Sequence, residues 1–89
     1  MSEVVEQRIA THGPAQDTLQ GAGRAIRELG ISWVEDSVLR VCAMQIVLKL
    51  ARVCFGNAEH KDHWLDIQGY AQIALDRITD QGGDPDDAD

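Results

Sequence analysis

The chain has 89 residues, 44% of them apolar but only four aromatic, so it makes one small domain with an aliphatic core. Its formal charge is −7 and its pI about 4.7, and setting aside the four aspartates of the last six residues still leaves −3, which excludes sequence-independent binding to nucleic acid. Arg40, Lys49 and Arg52 interrupt the longest apolar run, and the polar start MSEVVEQR carries no signal-like stretch, so no membrane contact and a cytoplasmic location are expected.

Residues 1–10 carry a weak pattern in Val4, Val5 and Ile9 and are expected to be a flexible or partner-dependent arm. A single helical domain is expected over 11–80. It opens at Thr11-His12-Gly13-Pro14, where proline suits a first helical turn because its missing N–H would have no partner there. From Ala15 the apolar positions Leu19, Ala22, Ile26 and Leu29 recur at steps of three and four, which predicts a helix ending at a Gly30 cap. Gly21 and Gly23 each cost roughly 1 kcal/mol inside that helix, a cost that marks either a close helix approach or a weak helix.

Ser32 and Asp36 are the candidate N-caps of a second helix, expected from about Ser37 to Phe55. Its sequence VLRVCAMQIVLKLARVCF is apolar on nearly every side, more than a three-helix monomer of this size can cover, so homo-oligomerisation is expected to complete the burial. Cys42 and Cys54 lie twelve apart on this helix, too far for a bond within one chain, and read as small core residues of a reduced protein. At 100° per residue Gln45, Lys49 and Arg52 fall in one narrow sector, with Arg40 across the axis.

Gly56-Asn57-Ala58 makes the next turn, and a third helix starts near Glu59 to Lys61 with Trp64, Ile67, Ala71, Ala74, Leu75 and Ile78 as its expected apolar face. Asp62 and Asp66, four apart, stack their carboxylates on a neighbouring face, where a shared cation or the basic stripe of the second helix can meet them. Beyond Thr79 the run DQGGDPDDAD has one alanine as its sole apolar residue, and 81–89 is expected to be a disordered acidic tail.

Three segments carry a resemblance: THG at 11–13, VLKLAR at 47–52 and HKDHWLDIQGYA at 60–71. They resemble a group of small phage and prophage proteins with THG, LLKxAR and HxDxWxDIxGYA segments, itself similar to the all-α nucleoside triphosphate pyrophosphohydrolases of MazG type. The resemblance spans roughly residues 8–78, and its third segment is the specific one. It implies an oligomeric MazG-like helical bundle in a phage-infected or lysogenic cell that handles a nucleotide, hydrolysing a (d)NTP with Mg²⁺. By position it singles out His12 and Gly13, Lys49 and Arg52, then His60, Asp62, Trp64, Asp66, Gly69 and Tyr70. This chain departs from the MazG pattern of paired acids on two helices. It has no acidic residue between Ser37 and Phe55, so Asp17 or another subunit would have to supply carboxylates.

Two chemistries fit these residues. Asp62 and Asp66 are the metal candidates, since Mg²⁺ favours carboxylate oxygens and leaves positions for phosphate; the plainer reading is a helix start whose acids suit its dipole, or an Asp66 paired to Lys49 or Arg52. Lys49 and Arg52 are candidates to hold phosphate, with His12, Gly13, His60 and Tyr70 as further substrate contacts; the plainer reading of the two cations is neutralisation of the aspartates across the hairpin. His12, His60 and His63 do not have zinc-ligand spacing, and no phosphate loop or nucleophile triad is present. The expected function is Mg²⁺-dependent nucleotide handling, with a non-catalytic phage accessory protein that sequesters a nucleotide or inhibits a host protein as the alternative.

Overall fold

Three helices make up residues 14–80, the part of the chain that the computed structural model describes: α1 (Ala15–Leu29), α2 (Ser37–Phe55) and α3 (Lys61–Asp80). A 3-10 turn at Ile31–Trp33 joins the first two, and no strand occurs among the described residues. The arm expected at 1–10, His12 and Gly13, and the tail expected at 81–89 lie outside them.

Local chemistry sets the boundaries. α1 starts after Pro14, whose carbonyl accepts from the Thr18 N–H at 2.9 Å, and it stops at Gly30, whose φ of 71° only glycine adopts cheaply. Of the two candidate caps for α2, Asp36 takes the position. Its Oδ1 accepts from the N–H groups of Val38 at 2.9 Å and Leu39 at 3.0 Å, relieving donors that the first turn leaves without partners. Its Oδ2 accepts from Arg77 Nε at 3.2 Å and Nη2 at 3.0 Å, which ties the start of α2 to the last turns of α3. No described helix is long and apolar enough to cross a membrane.

α2 lies between the other two helices, and no Cα of α1 comes within 8 Å of one in α3. The seam with α1 is built from small residues: Ala22, Ile31, Val47 and Ala51 are buried together, with Ala25, Ile26, Ala43 and Leu48 against them. Gly21 belongs to this seam, since a Cβ there would stand 2.5 Å from Phe55 Cε2, whereas Gly23 faces open space. Close approach therefore explains the first glycine and leaves the second as a plain helix weakness. Leu19 and Leu29, expected inside, are exposed, while Thr18 is buried, because the face of α1 that meets α2 runs through Thr18, Ala22, Ala25 and Ile26.

The seam with α3 departs further from expectation. The covered face of α3 is His63, Ile67, Tyr70, Ala74, Arg77 and Ile78, while Trp64 and Leu75 are about half exposed and Ala71 is exposed. The rotation has a cause: Lys49 of α2 reaches Asp66 and Asp36 reaches Arg77, and these pairs turn the polar edge of α3 toward α2. Cys42 is buried as expected, but Cys54 is exposed. Val41, Met44, Leu50 and Phe55 of α2 are also exposed, so the described residues do not cover this helix all round.

Candidate functional site

The polar residues gather where α2 ends and α3 begins. The turn between them is held by the Asn57 side chain, whose Oδ1 accepts from the Glu59 N–H at 2.9 Å, and by the Trp64 indole, whose Nε1–H donates to the Ala58 carbonyl at 2.8 Å. Trp64 is thus a half-exposed clamp on the turn. The His60 carbonyl accepts from the His63 N–H at 3.2 Å, and the two imidazoles meet edge to face with centroids 4.9 Å apart.

At the centre Lys49 Nζ stands 2.8 Å from Asp66 Oδ2, with the lysine side chain only 14% exposed. The hydrogen bond from Lys49, followed by its charge, holds the Asp66 carboxyl below the ordinary carboxylate range; His63 and Arg52 push the same way, and partial burial opposes them. Lys49 is thus the ion-pair partner of this carboxylate, and His63 and Arg52 act on it more weakly, through charge. His63, at 1% exposure, is the most buried large side chain described. Asp62 behaves differently. It is 75% exposed and stands 3.6 Å from His60 Nε2 at the rim.

Two shallow hollows adjoin this cluster. One, of about 310 Å³, is lined by Leu65, Asp66, Gly69, Tyr70 and Ile73; the other, of about 420 Å³, by Ser37, Val38, Val41, Cys42, Tyr70 and Ile73. Tyr70 and Ile73 line both, so the hollows meet along the α2–α3 seam. The structure thus brings Lys49, Arg52 and Asp66 together, sets Tyr70 one helical turn beyond them, and leaves Asp62 and His60 at the outer edge. Sequence reasoning missed His63, treating it only as a poor zinc ligand. The available signal was that His63, Tyr70 and Arg77 recur every seven residues with Ile67 and Ala74 between them, the spacing of a helix seam.

Among the described residues no group of three or more His, Cys, Asp or Glu side chains is placed to hold a metal ion. Asp66 is already engaged by an ammonium group, and Asp62 stands apart from it beside His60.

No curated protein and no solved structure matches the chain. The profile of a domain family described as a domain of unknown function, DUF6378, matches residues 1–78, and the chain therefore belongs to that family.

Proposed function

We propose that this protein is a nucleotide-handling module of phage or prophage type, related to the MazG-like pyrophosphohydrolases and active as a homo-oligomer. The observation that carries the reading is the Lys49–Asp66 ion pair beside an open hollow, with Arg52 near enough for its charge to act on the same carboxylate. A phosphate group carries more charge than Asp66 and competes for the same donors, lysine as a point charge and arginine as a planar fork. Asp66, once displaced from Lys49, and Asp62 are the residues that would hold a Mg²⁺ ion bound to the phosphates. That ion would supply charge neutralisation and an activated water. Tyr70 and Gly69 line the hollow on the side where a base or sugar would extend, and His60 stands at the rim. His12 and Gly13, just ahead of α1, remain substrate contacts on the strength of the segment resemblance.

Two observations favour the non-catalytic reading, in which the module sequesters a nucleotide or blocks a host protein. α2 carries no carboxylate between Ser37 and Phe55, and Asp66 is committed to Lys49. Hydrolysis then requires further carboxylates, from Asp17 or from a second subunit.

A panel of nucleoside mono- and triphosphates, with and without Mg²⁺, tests this by thermal shift and pyrophosphate release. The expected result is a rise in Tm with triphosphate that is lost in Lys49→Ala. Pyrophosphate release abolished by Asp66→Asn assigns an enzyme, and a shift without release assigns a binder. No shift with any nucleotide overturns both nucleotide readings in favour of the host-protein one.

A further inference from the structure

The most exposed large side chain described lies far from the polar cluster in sequence. Trp33 is 87% exposed, and Leu29, at the end of the preceding helix, is 69% exposed. Neither belongs to a loose loop. Ile31, two residues earlier, is buried in the α1–α2 core, the Trp33 N–H donates to the Gly30 carbonyl at 3.0 Å, and the Val34 N–H donates to the Ile31 carbonyl at 3.0 Å. Arg40 reaches back from α2, its Nη1 donating to the Val34 carbonyl at 3.0 Å. A Cβ added to Gly30 would stand 3.4 Å from Trp33 Cδ1, so the indole rests over the glycine backbone. The fold therefore holds a large apolar ring in water on a short, anchored turn, and much of the ordering cost of burying that ring elsewhere is already met.

Four residues further on, the chain enters the larger hollow. Its walls are Val38, Val41, Cys42 and Ile73, with Ser37 and Tyr70 adding hydroxyls that can accept from an indole N–H. A volume of about 420 Å³ corresponds to roughly a dozen waters at about 30 Å³ each, ample for one indole. Knob and hollow lie at the same end of the molecule, because four residues span at most about 14 Å.

We infer that Trp33 of each copy inserts into the Ser37–Val41–Ile73 hollow of a second copy, forming a two-fold dimer. This rests on the homo-oligomer reading above and names its interface. A knob and a hollow so close together can be used reciprocally around one two-fold axis, which closes the assembly. Each indole brings about 150–250 Å². Two of them and an equal area of the walls that receive them come to about 600–1,000 Å², which the exposed Leu29 and Met44 extend toward the ~1,200 Å² at the lower end of stable interfaces. The arrangement also bears on the nucleotide site, since Tyr70 and Ile73 are shared by both hollows: the partner's Trp33 becomes a wall of the one beside Asp66.

The test uses the full chain in solution. Light scattering is expected to give twice the chain mass at tens of micromolar, and Trp33→Ala and Val41→Glu are each expected to weaken association by at least roughly tenfold. Helical circular dichroism should be unchanged in Trp33→Ala, because the ring makes no core contact. In a Trp64→Phe background, which leaves Trp33 as the lone tryptophan, its selectively excited emission should move to the red on dilution. A dimer mass retained in Trp33→Ala overturns the proposal, and so does water-like Trp33 emission at every concentration. Blue-shifted emission from a monomer that turns red on deletion of residues 1–13 overturns it in favour of an occupant from the same chain. Nucleotide thermal shifts on the same samples keep the two readings apart, since a dimer that binds no nucleotide defeats only the function proposed above.

Discussion

α2 has two seams, and they differ in kind. Toward α1 it packs aliphatic side chains, Val47 and Ala51 against Ala22 and Ile31, and toward α3 it offers a cap, an ammonium group and a thiol to a face that carries His63, Tyr70 and Arg77. The first seam is stabilised by removal of apolar area and has no room for added atoms. In the second, directional pairs fix how α3 is rotated and how far along α2 it sits. Asp36 and Lys49 are 13 residues apart on α2, and their partners Arg77 and Asp66 are 11 apart on α3. At 1.5 Å per residue these spans are about 20 and 17 Å, so both pairs close in one antiparallel register. Stability and chemistry are thereby assigned to opposite sides of a single helix.

Substitutions on the two seams break or sharpen that contrast. Ile31→Ala strikes the apolar seam at its largest buried aliphatic side chain and is expected to cost about 2–5 kcal/mol in urea denaturation, enough to unfold much of so small a domain at 37 °C. Asp36→Ala strikes the polar seam. Loss of the cap together with the Arg77 pair should cost about 1–2 kcal/mol, and Arg77→Met alone distinctly less, because it spares the two cap bonds.

The paired glycines give a smaller and more diagnostic effect. Gly23→Ala should stabilise by about 0.5–1 kcal/mol, since its Cβ meets open space and helix propensity improves. Gly21→Ala should forfeit that gain by forcing the Phe55 ring aside, and Phe55→Ala should restore it. Equal effects at the two glycines would remove the case for close packing at Gly21.

The smallest effect concerns pH. The folded-state Asp66 carboxyl is held below its ordinary value, so the stability it contributes is complete above about pH 4 and is lost as pH falls through its lowered folded value. Melting curves between about pH 2 and 6 should show a shallower acid dependence in Lys49→Met than in the parent, with the two converging once Asp66 is protonated in both. Parallel curves would show that Lys49 does not set the Asp66 titration.

Much of this architecture is written in short-range signals. Gly30 and Asp36 end one helix and start the next through their own backbone and side-chain chemistry, and Ser37–Phe55 reads as a helix because it is a 19-residue, largely apolar run without glycine or proline. The i, i+4 spacing of Asp62 and Asp66 and the sector holding Lys49 were equally legible, and Lys49 and Asp66 do meet. The covered face of α3 was not. Counting apolar residues selects Trp64 and Leu75, whereas the fold covers His63 and Arg77, since periodicity cannot show that the neighbouring helix presents hydrogen-bonding groups.

By itself, then, the sequence determined three helices, their ends and the polar character of the second turn, because each depends on residues within a few positions of one another. Only the tertiary structure decided which way α3 faces, that Asp62 stands apart from Asp66's cations, and that Trp33 is displayed beside an open hollow. Those outcomes depend on free energies between groups tens of residues apart, such as Asp36 with Arg77, whose partners no local pattern names.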